Sequence, residues 1–101
     1  MLAEFTVSPL GKPGSLAEDV AAVLDEIDRS GLDYRLTAMG TIVEGEPEEI
    51  FDLIRRCHMI MRDRTDRVST HVKIDDRVGV SGRLSGKIES VERSLGRKLK
   101  K

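Results

Sequence analysis

The sequence predicts an α+β fold: a ferredoxin-like βαββαβ sandwich with a four-stranded antiparallel sheet and a further C-terminal helix. Two segments alternate apolar and polar residues, which is typical of strands with one buried face. Two longer segments carry apolar residues at helical spacing, and a short hairpin lies between them. Right-handed crossovers would then put the first and third strands in the centre of the sheet, between the fourth and the second.

The first strand lies within Leu2 to Leu10, where Pro9 and the glycines beyond it end the alternation. Its apolar side consists of Ala3, Phe5 and Val7, and its polar side consists of Glu4, Thr6 and Ser8. The run from Ser15 to Glu18 is a capping box, which predicts the start of the first helix. Gly31 is well placed to end that helix.

The hairpin lies within Leu32 to Glu46 and is predicted to turn at Met39-Gly40. Pro47 suits the first turn of a second helix. The inner stripe of this helix is predicted to be Ile50, Phe51, Ile54, His58 and Met61. The fourth strand alternates from Asp66 to Asp75. The third helix carries Leu84, Ile88, Val91 and Leu95 on its apolar side.

Composition excludes several classes of function. The 101 residues suit a single domain, residues 1–101, with an aliphatic core, because the chain has only two Phe, one Tyr and no Trp. A net charge of −1 gives no basic excess that would attract nucleic acid or anionic lipid. We expect neither a membrane-spanning segment nor a signal peptide. Cys57 is the only cysteine, so we expect a reducing, cytoplasmic location.

We expect the two main helices to leave one face of the sheet uncovered. This face should carry Glu4, Thr6, Ser8, Arg35, Thr37, Ser69, His71 and Lys73. It is either a solvated surface or a contact between subunits that encloses a small polar ligand. The second interpretation predicts a homo-oligomer, a dimer or a tetramer, formed through sheet faces or edges.

No residue cluster has the pattern of a catalytic or metal site, so we expect a protein that is not an enzyme. Cys57 and His58 are adjacent in a helix and point about 100° apart, which prevents them from sharing a metal ion. The glycine spacing matches neither a P-loop nor a dinucleotide fingerprint. The pair Asp75-Asp76 is better explained as a solvated strand end than as an acid–base pair.

The hairpin carries the candidate binding residues. Thr37 and Thr41 place hydroxyl groups near Gly40, and Glu44 follows three residues later. If Thr41 faces the open side, alternation turns Glu44 towards the helices. There its carboxylate either caps the second helix or is moved by a bulge near Gly45 into a pocket, where it would accept hydrogen bonds from an aminopyrimidine.

These residues also resemble a known family. The runs FTVSPLG, SGLDYRLTAMGTIVEG and VSTHVKIDDR are similar, in order and spacing, to the thiamine-binding protein family. That family was formerly grouped as uncharacterised, and it shares a superfamily with the hydroxymethylpyrimidine/thiamine-binding protein of Bacillus. The resemblance covers nearly the whole chain. It implies ferredoxin-like subunits that assemble into dimers or tetramers and bind thiamine or its pyrimidine precursor without catalysis.

The resemblance also implies which residues bind the ligand. The family's Thr-x-x-Glu-Gly element corresponds to residues 41–45, and its Ser/Val-x-Pro strand end corresponds to residues 7–9. Together with the hairpin residues Thr37, Met39 and Gly40, these elements give the predicted site: Ser8, Pro9, Thr37, Met39, Gly40, Thr41 and Glu44. The hydroxyl groups would form hydrogen bonds, and Met39 would pack on a ring of the ligand. Glu44 or Glu4 would accept a hydrogen bond from the amino group or offset the thiazolium charge.

Apart from this ligand, thiamine or an aminopyrimidine, we expect no cofactor. The sequence leaves open whether the ligand is free thiamine, a thiamine phosphate or only the pyrimidine half of thiamine. It also leaves open whether the protein carries, stores or senses this ligand. The alternative is a regulatory or scaffolding module comparable to the amino-acid-sensing ACT domains. Such a module would bind another small ligand or only its own subunits.

Overall fold

The described elements follow one another in the predicted order, β-α-β-β-α-β with a helix at the end. The structure is a computed structural model and describes residues 1–14 and 16–101. The elements are β1 (Leu2–Pro9), α1 (Ala17–Arg29), β2 (Asp33–Thr37), β3 (Gly40–Glu44), α2 (Pro47–Arg62), β4 (Val68–Asp75) and α3 (Arg83–Leu95). Ser15, the first residue of the predicted capping box, lies outside the described residues.

The sheet has the strand order β2-β3-β1-β4, and all neighbouring strands are antiparallel. The α+β class and the central position of β1 and β3 are therefore confirmed. β1 pairs with β4 over its whole length, from Leu2 to Pro9. It pairs with β3 only from Leu2 to Phe5. The β2–β3 hairpin thus ends beside the middle of β1 and leaves a notch, which we define as the space next to residues 6–9 of β1.

The core lies between one face of this sheet and the helices α1 and α2. Its buried residues are Ala3, Phe5, Val7, Val23, Ile27, Val43, Ile50, Leu53, Cys57 and Met61. Phe5 is the single aromatic residue in this set, so the core is aliphatic as composition predicts. Burying each large apolar side chain of this kind stabilises the fold by about 1.5–3 kcal/mol.

The inner face of α2 differs from the predicted stripe. Its buried residues are Ile50, Leu53, Cys57 and Met61. Phe51, which was expected in the stripe, is 54% exposed. The reason is helical geometry: residues three and four apart share a face, whereas adjacent residues point about 100° apart, so Ile50 and Phe51 cannot both face the core.

The two main helices have identifiable ends. The Glu46 amide donates to the Glu49 carboxylate over 3.2 Å, and the Glu46 side chain accepts from the Glu49 amide, which forms a capping box. Pro47 occupies the first turn of α2, as its sequence position predicts. At the end of α1, Ser30 is followed by Gly31 with a φ of 78°, a left-handed conformation that terminates helices.

The second face of the sheet carries the polar residues that the sequence places there. By register these are Glu4, Thr6, Ser8, Arg35, Thr37, Ser69, His71 and Lys73. This face is partly covered, because α3 lies against β3 and β2 at one end of it. Leu84 and Ile88 line a groove there together with Leu2 and Ile42. In residues 1–14 and 16–101, no helix is long and apolar enough to cross a membrane.

Candidate functional site

A cavity of about 200 Å³ lies where the notch meets α1. Five of the seven predicted site residues line it: Ser8, Thr37, Met39, Gly40 and Thr41. The α1 wall is apolar and consists of Val20, Val23, Leu24 and Ile27. Among the described residues that line the cavity, none is charged. The cavity therefore suits a flat, largely apolar group that carries a few hydrogen-bonding atoms.

The register corrects the orientation considered for Thr41. Thr41 pairs with Phe5, so its side chain faces the helices, where it is 4% exposed. Glu44 pairs with Leu2 and lies on the other face. The alternation along β3 is as expected, but the two faces are exchanged, because which face is buried depends on the pairing with β1. The cavity is accordingly lined from both sides of the sheet at the notch: by Thr41 and α1 on the helix-covered side, and by Ser8 and Thr37 from the other side.

Two hydroxyl groups at the cavity are available to a ligand. In the part of the chain that the structure describes, neither Thr41 nor Ser8 uses its hydroxyl in a hydrogen bond to protein. Thr41 is almost fully buried, but its side chain lines the cavity, so its hydroxyl adjoins the space that a ligand would occupy. A polar ligand atom at this position would bond to it.

The Thr37 hydroxyl, in contrast, is fully used by the turn. It donates to the Gly40 carbonyl over 2.8 Å and accepts from the amides of Met39 at 3.2 Å and Gly40 at 3.1 Å. A hydroxyl has one donor and two acceptor positions, so these three bonds leave none for a ligand. Thr37 therefore shapes the cavity by holding the turn, and a direct hydrogen bond to the ligand is not available to it.

Met39 and Gly40 form the tip of the hairpin at the cavity. Met39 is 84% exposed, so its flexible side chain is free to lie on a bound ring. Gly40 allows the hairpin to approach β1 closely. A Cβ atom at this position would lie 3.1 Å from the Thr6 Cγ2 atom and 3.3 Å from the Phe5 carbonyl oxygen. A larger residue would push the turn away from β1 and change the cavity.

Pro9 and Glu44 do not line the cavity. Pro9 is buried at the end of β1, where it pairs with Val68. Glu44 is at the far end of β3, and its carboxylate accepts from the amides of Arg83 at 2.8 Å and Leu84 at 3.2 Å. Glu44 therefore caps α3, whereas the sequence offered α2 as the helix it would cap. Glu4, the other carboxylate considered, lines the groove beside α3 instead.

An ion cluster around the buried Asp19, next to the start of α1, was missed by sequence reasoning. The Asp19 carboxylate binds the Arg64 guanidinium over 2.6 Å and the Lys12 ammonium over 2.7 Å. The hydrogen bonds from Arg64 and then Lys12 hold the pKa of Asp19 below its usual value of 3.8. The cluster joins the β1–α1 loop to the α2–β4 loop. Its only sequence signal was an acidic residue in the first turn of a helix.

Cys57 and His58 serve packing in this structure. Burial raises the pKa of the Cys57 thiol to about 12, so the reactive thiolate is scarce at neutral pH. The His58 Nδ1 atom lies 2.7 Å from the Thr70 hydroxyl, which joins α2 to β4. In the described residues, no group of three or more His, Cys, Asp or Glu side chains is placed to hold a metal ion.

Comparison with known proteins identifies the family. A family model described as "Thiamine-binding protein" matches residues 3–92, which include the whole cavity. The chain belongs to this family. The match confirms the resemblance that the strand and hairpin residues indicate, and it covers all the described elements except Leu2 of β1 and the last three residues of α3.

Relatives of the chain have similar lengths. A UPF0045 protein of Methanothermobacter thermautotrophicus is 35% identical over 96 residues, which cover 92% of this chain and 97% of that protein. The UPF0045 protein YqgV of Bacillus subtilis is 33% identical over 100 residues, covering 93% and 96%. The relatives thus align over almost the whole domain.

Several solved structures are similar to this one. The hypothetical protein MJ1052 of Methanocaldococcus jannaschii superimposes with a TM-score of 0.81 at 29% identity, over 89% of this chain and 93% of that one. A Thermotoga maritima protein described as having a proposed role in thiamine biosynthesis or salvage has a TM-score of 0.78 at 24% identity, over 89% and 96%. The second likeness, at its low identity, supports the fold alone.

Proposed function

We propose that this member of the family is a non-catalytic, cytoplasmic binding protein for thiamine or its hydroxymethylpyrimidine precursor. The observation that carries the proposal is the cavity at the notch, whose lining includes Ser8, Met39 and Thr41. The family's description as thiamine-binding supports this choice of ligand. The thiamine biosynthesis or salvage role proposed for the Thermotoga protein is consistent with it.

In the proposed complex, one ring of the ligand enters the cavity. A volume of about 200 Å³ is smaller than the roughly 300–1,000 Å³ of sites that enclose a drug-sized ligand, so the second ring of thiamine would lie outside. The hydroxyls of Thr41 and Ser8 would bind polar ring atoms, and Met39 would cover the ring face. Among the described residues that line the cavity, none is a base that would activate these hydroxyls, which supports binding over catalysis.

We also propose that the subunits form a homo-oligomer. Val91 and Leu95 of α3 are each 50% exposed, and on β4 Val72 and Ile74 are 42% and 40% exposed. Apolar side chains grouped on one helix or one edge strand are typical of contacts between subunits. A second copy of this chain is the partner that we propose for the α3 surface.

Calorimetric titration with thiamine, hydroxymethylpyrimidine and thiamine phosphate tests the ligand. We expect saturable binding of thiamine or hydroxymethylpyrimidine at micromolar strength or tighter. Thiamine phosphate should bind no more tightly than thiamine, because the described cavity lining offers no cationic side chain. If none of the three ligands binds, the result would contradict the proposal and favour an ACT-like interaction module.

The substitution Thr41→Val tests the site itself. Valine has nearly the shape of threonine but lacks the hydroxyl, so binding should weaken about tenfold while the melting temperature stays the same or rises. Thr65→Val, in the α2–β4 loop away from the cavity, is the matched control and should leave affinity unchanged. Equal affinity of the wild type and Thr41→Val would remove Thr41 from the site.

A further inference from the structure

The backbone of β1 has an unpaired stretch at the notch. The Gly45 amide donates to the Met1 carbonyl over 3.1 Å, so Met1 directs its backbone groups towards β3. The Leu10 amide donates to the Arg67 carbonyl over 2.8 Å, so Leu10 directs its backbone groups towards β4. Because these directions alternate along a strand, odd-numbered residues of β1 point to the β3 side. Val7 is one of them.

Nothing in β3 lies opposite Val7. The last pair between β1 and β3 is Phe5 with Thr41, and the next residue in register would be Met39. Met39 lies in the hairpin turn, and its amide donates to the Thr37 hydroxyl instead. Within residues 1–14 and 16–101, the amide and carbonyl of Val7 therefore have no backbone partner. Val7 also lines the cavity, so these two groups lie at its wall.

We propose that the amide and carbonyl of Val7 recognise the edge of the bound ring, in place of the missing β3 residue. In an antiparallel pair, such a residue would exchange two hydrogen bonds with Val7. A ring nitrogen next to a carbon that carries an amino group offers the same combination: the ring nitrogen accepts from the amide, and the amino group donates to the carbonyl. This inference rests on the proposed function and specifies which half of the ligand the Val7 backbone binds.

The ligand class follows from this geometry. An aminopyrimidine has the required acceptor and donor side by side, whereas a thiazolium ring has no N–H group and carries a positive charge. No anionic side chain lines the cavity among the described residues, so the cation would gain little there. The pyrimidine half should therefore occupy the cavity, with the Thr41 and Ser8 hydroxyls near its other polar atoms.

Ligand analogues and amide exchange together test this inference. The ligands are 4-amino-5-hydroxymethyl-2-methylpyrimidine, the analogue without the amino group, and the pyridine analogue with CH in place of the neighbouring ring nitrogen. Each analogue lacks one of the two proposed hydrogen bonds, so each should bind about tenfold more weakly or worse. Calorimetry on the full-length protein measures the three affinities.

Hydrogen exchange followed by NMR reports on Val7 directly. The Val7 amide should exchange quickly in the free protein and slow by tenfold or more when the aminopyrimidine is bound. Phe5 in the same strand is the control, because its amide already pairs with Thr41 and should be protected in both states.

The possible outcomes separate this inference from the proposed function. Equal affinity for all three ligands, with unchanged Val7 exchange, would overturn the inference and leave the binding function standing. Absence of binding by any ligand would overturn both. Protection of Val7 in the free protein that disappears on dilution would show that a second copy covers this edge, and would also overturn the inference.

Discussion

At the scale of single residues, Thr37 and Thr41 show how position decides the role of a hydroxyl group. Both are threonines of one hairpin and both line the cavity. The Thr37 hydroxyl forms hydrogen bonds within the turn, to Gly40 and Met39. Thr41, on the buried face, leaves its hydroxyl free for a ligand. Residue type alone therefore could not separate the two.

Asp19 allows a prediction for stability against pH. Its pKa is below the usual 3.8 because Arg64 and Lys12 bind the charged form, so the folded state binds the proton less readily than the unfolded state. The stabilisation is present above about pH 4 and is lost as the pH falls through the lower, folded-state pKa. Asp19→Asn should lower the melting temperature at pH 7 by roughly several degrees, and the difference from wild type should shrink at pH 3.

Thermal unfolding followed by circular dichroism at the two pH values measures this effect. Asp25→Asn is the matched control, because Asp25 forms an exposed pair with Arg29 on the same helix, and exposed pairs contribute little. A constant difference between Asp19→Asn and wild type from pH 7 to pH 3 would show that the charge of Asp19 is not the stabilising feature.

Cys57 should be inert in the native protein. Its thiol is buried and its pKa is raised to about 12, so both access and thiolate are limited at pH 8. We expect no reaction with an aromatic disulfide reagent within minutes at pH 8, and complete reaction in guanidinium chloride. Fast labelling of the native protein would show that α2 opens readily from the core.

At the scale of elements, α3 depends on a residue far from it in the chain. The N-cap residue of α3 is Gly82, which has no side chain to cap the helix. The Glu44 carboxylate accepts from the amides of Arg83 and Leu84 instead, although Glu44 precedes Arg83 by 39 residues. Glu44→Ala should therefore destabilise α3 by about 0.5–2 kcal/mol. Hydrogen exchange should speed up within α3 while the central strands stay protected.

Glu89→Ala provides the comparison for this experiment. Glu89 is an exposed residue of α3, and in the described residues it forms no hydrogen bond or ion pair. Its substitution should leave exchange in α3 nearly unchanged. If both variants affect α3 equally, the contact between Glu44 and the helix start contributes no stability. Calorimetry of the Glu44→Ala variant should show unchanged ligand affinity, because Glu44 does not line the cavity.

At the scale of the whole molecule, the shape is more extended than a compact domain of this size. The radius of gyration is 15.2 Å and the principal extents are 48 × 29 × 21 Å. A compact chain of 100 residues has a radius of gyration of about 13 Å. The half-exposed Val91 and Leu95 lie on α3, the surface through which we propose that the subunits associate.

Light scattering coupled to size-exclusion chromatography tests this association. We expect the wild type to elute as a dimer or tetramer. The double substitution Val91→Asp and Leu95→Asp should shift it towards the monomer, because charge in an apolar contact opposes association. Arg93→Asp changes the charge at an exposed position on the opposite side of the same helix and should leave the assembly intact. A wild-type monomer would contradict the proposal.

Much of the architecture was readable from local patterns. Alternation in β1, Pro47 in the first turn of α2 and the glycine after α1 all act over a few neighbouring residues, so their effect does not require the tertiary structure. The predicted inner stripe of α2 was wrong at Phe51, because Phe51 is adjacent to Ile50 and adjacent helical residues do not face the same side. The ion cluster at Asp19 was missed, because its partners come from two separate loops.

The sequence by itself determined the order of elements, the α+β class and membership of the thiamine-binding protein family. Periodicity and motif spacing carry that information, and both are properties of the chain. Only the tertiary structure decided which face Thr41 occupies, which helix Glu44 caps, and where β3 ends beside Val7. Each of these depends on the register between strands, which is set by packing of the whole sheet against its helices.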